Sequence, residues 1–166
     1  IAQENCEIVI TAVADRVESK LEATKKHIAE YNEKNPANAA PIPATFSEGS
    51  DLIKSGLCEA ILIAVPHYDH PVLAIEAFKA GLHVMCEKPA GVYAKQVREM
   101  NEAAAKTDLV FGIMYNQRTN CVYRKMRELV QSGELGEIRR VSWIITDWYR
   151  TQSYYNSGGW RATWKG

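Results

Sequence analysis

Several things are missing from this chain, and each absence narrows the reading. Acidic and basic residues balance at 20 each over 166 residues. There is therefore no electrostatic footprint for nucleic acid or for an anionic membrane. No apolar run approaches the length of a membrane span, and the longest, Ala60 to Pro66, suits a buried strand. No internal repeat is visible, and the first residues carry no signal-like pattern. The four cysteines, Cys6, Cys58, Cys86 and Cys121, form no C-x-x-C pair. That spacing speaks against structural zinc and points to reduced thiols in a cytoplasmic protein.

What is present is an alternation of apolar strands and helical stretches. Cys6 to Ala14 reads as a β-branched strand ending at Asp15, and Val17 to Asn32 as a helix with a charged face. Glu33 to Pro43 is a loop, and Thr45-Phe46-Ser47 a short strand. Ser50 to Ser55 reads as a short helix, with Ser47 or Ser50 as its N-cap and Gly56 as its stop. Ala60 to Val65 is a strand, His70 to Ala80 a helix closed by Gly81, and His83 to Glu87 a strand. Ala90 to Lys106 is an alanine-rich helix and Leu109 to Tyr115 another strand. Such alternation predicts an α/β fold with a Rossmann-type, doubly wound parallel sheet. The pattern then changes. Thr119 to Ser132 reads as a helix stopped by Gly133, and Ile138 to Trp148 as a long strand. The division falls near Arg118, giving units of 1–117 and 118–166.

The most informative run is Val84-Met85-Cys86-Glu87-Lys88-Pro89. Lysine is costly to bury and proline cannot continue a sheet ladder. A strand ending in Glu-Lys-Pro therefore presents an ammonium at a sheet edge, where open α/β sheets bind their ligands. Around it stand Val65-Pro66-His67, His70, Gly81-Leu82-His83-Val84, Tyr115-Asn116-Gln117-Arg118 and Ser132-Gly133-Glu134-Leu135-Gly136-Glu137-Ile138. In order and spacing this resembles the glucose–fructose oxidoreductase / inositol dehydrogenase (Gfo/Idh/MocA) family.

The resemblance implies a nicotinamide-dependent oxidoreductase that acts on a secondary hydroxyl of a sugar, sugar derivative or cyclitol. Family members open with a strand and a Gly-x-Gly-x-x-Gly turn, and later carry a glycine cluster followed by an Asp or Asn and a catalytic His. Neither segment is in this sequence. The chain thus reads as an internal portion, expected to be inactive alone, of a dehydrogenase about twice as long or more. Cys6 to Ala14 and Ala60 to Val65 are expected to flank the family's first strand rather than pair with each other. The second unit is expected to begin a broad sheet, with Ile138 to Trp148 its first strand. The family's sheet binds substrate and packs subunits into a homo-oligomer, a dimer or tetramer. Two other readings stay open: a sugar-responsive regulator that binds dinucleotide without turnover, and a glycosidase that uses bound NAD transiently.

Residue by residue, Asp15 at its strand end can accept hydrogen bonds from the adenosine ribose, with a turn or capping aspartate as the alternative. Its charge favours NAD, while Arg16, which could meet an adenosine 2′-phosphate, keeps NADP open. Val65, Pro66 and His67 pass beside the cofactor in the resembling family. His70 matches the family's helix-opening histidine, in the cofactor set or bonded to backbone. His67-x-x-His70 lacks the partners of a metal site, so no metal is expected. Lys88 is the residue expected to act in catalysis. A fixed ammonium can hold the reacting hydroxyl and the nicotinamide ribose together, and Glu87 would brace it or line the cleft. Asn116 joins the cofactor set. Arg118 faces substrate or pairs between domains. Tyr149, Trp160 and Arg161, in an aromatic and arginine-rich tail, suit a sugar site or a subunit contact.

Overall fold

The structure is a computed structural model that describes residues 8–146, 148–157 and 163. It divides into two compact units between Ile113 and Met114. Cys6, Trp160 and Arg161 lie outside the described residues.

The first unit starts with β1 (Ala12–Ala14), α1 (Glu18–Lys34) and β2 (Ala44–Phe46), followed by α2 (Gly49–Lys54). β1 and β2 are parallel, with Ala14 opposite Phe46. β1 is shorter than the expected Cys6–Ala14 strand, since residues 8–11 are not in strand conformation. α1 buries Leu21 and Ile28, two turns apart on one face, and turns its charges outward. A single 3₁₀ turn, Pro36–Asn38, follows it. Asn32 secures that loop by donating to the Ala40 carbonyl at 2.7 Å and accepting from the Ala40 amide at 2.8 Å. α2 differs from expectation at its start. Glu48 occupies the N-cap position, and the Ser50 hydroxyl reaches Glu76 on the next helix instead of capping its own.

β3 (Ala60–Ile63), α3 (His70–Lys79), β4 (His83–Glu87), α4 (Ala94–Ala104) and β5 (Phe111–Met114) complete the alternation. β3, β4 and β5 form a second sheet in that order, with β3 and β4 parallel and Ile63 opposite Cys86. As expected, β1 and β3 are not hydrogen-bonded neighbours. Gly81 ends α3 with φ +79°, a conformation that costs glycine nothing and leads directly into β4.

The core lies on one face of the three-stranded sheet. Val84 and Cys86 of β4 point inward, while His83 and Met85 point out, the period-two pattern of a strand with one covered face. Ile53, Ile63, Ala74, Ala77, Phe78, Leu82 and Met100 pack with them. Phe78 meets Phe111 edge to face, with centroids 5.3 Å apart. Each large apolar side chain buried here contributes about 1.5–3 kcal/mol relative to exposure.

α4 starts four residues later than the expected Ala90. The reason is a close approach at Gly91. A Cβ there would sit 2.8 Å from Pro71 Cγ and 3.0 Å from Val97 Cγ2. Residues 89–93 are thus laid against the first turn of α3 and reach helical conformation only after Tyr93.

In the second unit, a 3₁₀ turn (Asn116–Thr119) leads to α5 (Cys121–Gln131). The Asn120 side chain caps α5 by accepting from the Val122 amide at 2.9 Å. Among the described residues of the expected strand Ile138 to Trp148, none is in strand conformation, and no broad sheet occurs among the described residues. β-Branched composition favours extended backbone, but a strand is held by a ladder, and no described segment pairs with this one. Val141 and Ile144 are left exposed, while Trp143 packs its ring on Tyr123 of α5 at 5.6 Å. A short helix, α6 (Gln152–Asn156), lies in the aromatic and arginine-rich tail, for which the sequence reading placed no element. It is opened by the Thr151 side chain, which accepts from the Tyr154 amide at 3.3 Å.

Candidate functional site

In both parallel pairs, the residues singled out from sequence follow the carboxyl ends of strands. Asp15 and Arg16 follow β1, Val65-Pro66-His67 follow β3, and Lys88 follows β4 at once. The carboxyl ends of the parallel strands in both sheets form the edge that carries these residues. That is the edge where open α/β sheets hold ligands.

His70 organises the β3 and β4 ends. It is fully buried. Its Nε2 lies 2.8 Å from the Val65 carbonyl oxygen and its Nδ1 lies 2.8 Å from the Pro89 carbonyl oxygen. Both partners are acceptors, so a neutral ring donates to one of them at a time. Of the two readings of His70, the structure shows the backbone-bonded one. With no exposed atom and both nitrogens on backbone, it ties the turn after β3 to the turn after β4. His67 is half-buried, with its ring 5.6 Å from that of His70. No cluster of metal-ligating side chains occurs among the described residues.

Lys88 is exposed. Its backbone amide donates to Glu87 Oε2 at 3.1 Å, so Glu87 braces the turn that carries it. The bond between Lys88 and Pro89 is cis. Lys88 therefore leaves the sheet from a corner fixed on both sides, by Glu87 before it and by the His70–Pro89 contact after it.

At β1, the Asp15 carboxylate accepts from the Val17 amide at 2.8 Å and from Lys20 Nζ at 3.1 Å. The Val17 hydrogen bond, aided by the Lys20 hydrogen bond and charge, holds its carboxyl below the usual range despite partial burial. Asp15 is thus both a turn aspartate and an ionised acceptor at a strand end. Arg16 is paired with a residue that sequence reasoning missed. Its Nε lies 3.1 Å from Glu48 Oε1, and its Nη2 lies 3.0 Å from Glu48 Oε2. The pairing follows from register. Ala14 faces Phe46, so the residues two further along each parallel strand, Arg16 and Glu48, fall side by side. The sequence signal was a strand ending Asp-Arg beside one followed two residues later by Glu.

Asn116 and Arg118 belong to the second unit. The Asn116 carbonyl accepts from the Thr119 hydroxyl at 2.7 Å, and the Arg118 amide donates to the Tyr115 carbonyl at 2.9 Å. Tyr149 is strongly exposed. The Arg150 guanidinium lies over the Trp148 and Tyr154 rings, at 4.9 and 4.4 Å.

The donor set fits a dinucleotide. An ionised carboxylate at one strand end suits ribose hydroxyls, and an exposed ammonium at another suits a reacting oxygen. Residues 2–115 match the model of the Gfo/Idh/MocA oxidoreductase family, described as having an NAD-binding Rossmann fold. The chain belongs to that family. An inositol 2-dehydrogenase from Leifsonia xyli is 35% identical over 105 residues, covering 61% of this chain and 30% of that protein. Among solved structures, myo-inositol 2-dehydrogenase from Lactobacillus plantarum superposes with a TM-score of 0.69 at 25% identity, over 82% of this chain and 37% of that one. The WlbA dehydrogenase from Bordetella pertussis, solved with NADH and UDP-GlcNAcA, gives a TM-score of 0.77 at 26% identity, over 99% of this chain and 44% of that one. The chain thus spans between about a third and somewhat under half the length of these relatives. Within the Rossmann fold of the family, β1 and β2 form one sheet segment, and β3, β4 and β5 the other.

Proposed function

We propose that the whole protein is an NAD-dependent oxidoreductase that transfers hydride between the nicotinamide and a secondary hydroxyl of a sugar, sugar derivative or cyclitol. The observation that carries this reading is Lys88, an exposed lysine on a strand-end corner braced by Glu87 and tied down through Pro89 and His70. Relatives named for inositol, D-glucoside and 1,5-anhydro-D-fructose support the substrate class.

When bound, the nicotinamide supplies the hydride acceptor or donor. The chain's own residues supply the contacts that follow, while the proton of the oxidised hydroxyl would pass to the catalytic His that the family resemblance places outside this sequence. Lys88 hydrogen-bonds the reacting hydroxyl and orients it, and it stabilises the negative charge that builds on that oxygen. Asp15 accepts from the adenosine ribose hydroxyls, with its own position fixed by Val17 and Lys20. Val65 and Pro66 form the floor of the turn after β3, held by His70. Glu87 positions Lys88 through the backbone and does not meet the substrate. His67 and Asn116 complete the cofactor set, and Arg118, Tyr149, Trp160 and Arg161 the substrate set. Exposed Val141, Trp143 and Ile144 support assembly as a homo-oligomer, and free thiols at Cys58, Cys86 and Cys121 suit a cytoplasmic location.

The test is NADH formation by the whole protein with a panel of inositols, aldoses and glycosides. Turnover of at least one member is expected. Dinucleotide binding without turnover of any polyol would favour a regulator instead.

A further inference from the structure

The pair formed by Arg16 and Glu48 has no evident structural need. Both side chains are exposed, 74% and 50%, and such pairs add little stability. Its geometry is nevertheless specific. Two nitrogens of the guanidinium engage both oxygens of one carboxylate, the fork arrangement that arginine also uses for phosphate. The donors a phosphate would take are thus already committed to a carboxylate of this chain.

The surroundings reinforce the commitment. Asp15 precedes Arg16 and is ionised. The charge of Asp69 adds a minor attraction for the Arg16 guanidinium. The local cations are Arg16, held by Glu48, and Lys20, held by Asp15. An anion arriving at the end of β1 meets the carboxylates of Asp15 and Glu48 and two cations that both pair with them.

We propose that Glu48 is a specificity-determining residue. It occupies Arg16 and so denies NADP the cation its adenosine 2′-phosphate needs, making the site selective for NAD. This rests on the reading of the β1 end as the adenosine side of a dinucleotide site. Asp15 supplies the contact NAD uses. Glu48 removes the contact NADP would use. The two carboxylates act on different atoms of the ligand, so their effects separate by mutation.

The experiment is calorimetric titration of the whole protein with NAD and with NADP at low and moderate salt, for wild type, Glu48→Gln, Arg16→Ala and the double variant. Wild type is expected to bind NAD more tightly. Glu48→Gln should tighten NADP about five- to tenfold, from removal of one charge near a doubly charged phosphate, with NAD changed less than twofold. The gain should shrink with salt and vanish in the double variant, because it runs through Arg16. Unchanged NADP affinity in Glu48→Gln, or a gain that survives loss of Arg16, would overturn the role of Glu48 while leaving the dinucleotide site intact. A wild type that binds neither nucleotide would overturn both. Because the side chains are exposed, thermal melts of all four proteins should coincide within about 2 °C.

Discussion

His70 and Pro89 are joined by a 2.8 Å contact between ring Nδ1 and the backbone carbonyl oxygen, nineteen residues apart in the chain. Through it the end of β4 is fixed to the start of α3. His70→Ala would remove the ring that bridges the half-buried Val65 carbonyl and the Pro89 carbonyl, and would leave a cavity where a fully buried side chain stood. A loss of about 2–4 kcal/mol in unfolding free energy is expected by denaturant titration. His70→Gln, which keeps a donor, should recover part of it. If His70→Ala unfolds at the wild-type midpoint, the ring is not a tie between the two turns.

Lys88→Ala in the whole enzyme should lower kcat about a hundredfold or more while changing cofactor affinity much less. On the proposed reading, the nucleotide would be gripped mainly at its adenosine and phosphate end, remote from the reacting carbon. Lys88→Arg should rescue poorly, since a planar fork does not replace a compact ammonium. Steady-state kinetics with cofactor titration by fluorescence decides it. A loss confined to cofactor affinity would reduce Lys88 to a nucleotide-binding residue.

Asp15 gives a signed pH dependence. Its carboxyl is held below its unfolded value, by the Val17 amide foremost, with Lys20 adding. The stability it contributes is therefore present above the unfolded pKa and lost as pH falls through the folded one. Asp15→Asn keeps an acceptor for Val17 and removes the charge. Wild type should be modestly more stable than the variant at neutral pH, and the gap should close below about pH 4. A gap that stays constant between about pH 6 and pH 3 would mean that Asp15 is not the group responsible.

Gly91→Ala tests the close approach to Pro71. The added methyl meets ring carbon at 2.8 Å, inside contact distance, and the loop must shift. Destabilisation of about 1–3 kcal/mol is expected, with a lower kcat because the displaced loop adjoins Lys88. Wild-type stability in Gly91→Ala would show that the loop has room to give.

The thiols should separate by reactivity. Burial, with the charge of Glu87, pushes the Cys86 thiol up to about 11. Cys121 is exposed. Alkylation at neutral pH followed by peptide mapping should mark Cys121 early and Cys86 only on unfolding. Early labelling of Cys86 would mean the core at β4 opens in the native state.

Legibility followed local signal. β4 was readable to the residue because alternation, Gly81 before it and Pro89 after it all agreed. Lys88 and Asp15 were readable because strand ends are marked in sequence. Glu48 was not, since its partnership with Arg16 depends on the parallel register of two short strands, which no local pattern encodes. The start of α4 was missed because alanine content signals a helix, whereas the contact of Gly91 with Pro71 is tertiary. The segment 138–146 was misread as strand because composition reports a preference for extended backbone and says nothing about whether a partner lies alongside. α6 was missed because aromatic residues are weak helix formers, and its opening rests on one threonine side chain.

α2 is only Gly49–Lys54, yet it packs against β1, against β2 and against α3, which in turn lies on β3 and β4. Among the described residues α2 thus links the first sheet to α3, which lies on the second. Peeling it away would loosen the β1 end, with Asp15, from the elements that carry Lys88. Amide protons of β1 and β3 should then lose protection together, as parts of a single cooperative opening that begins at six residues.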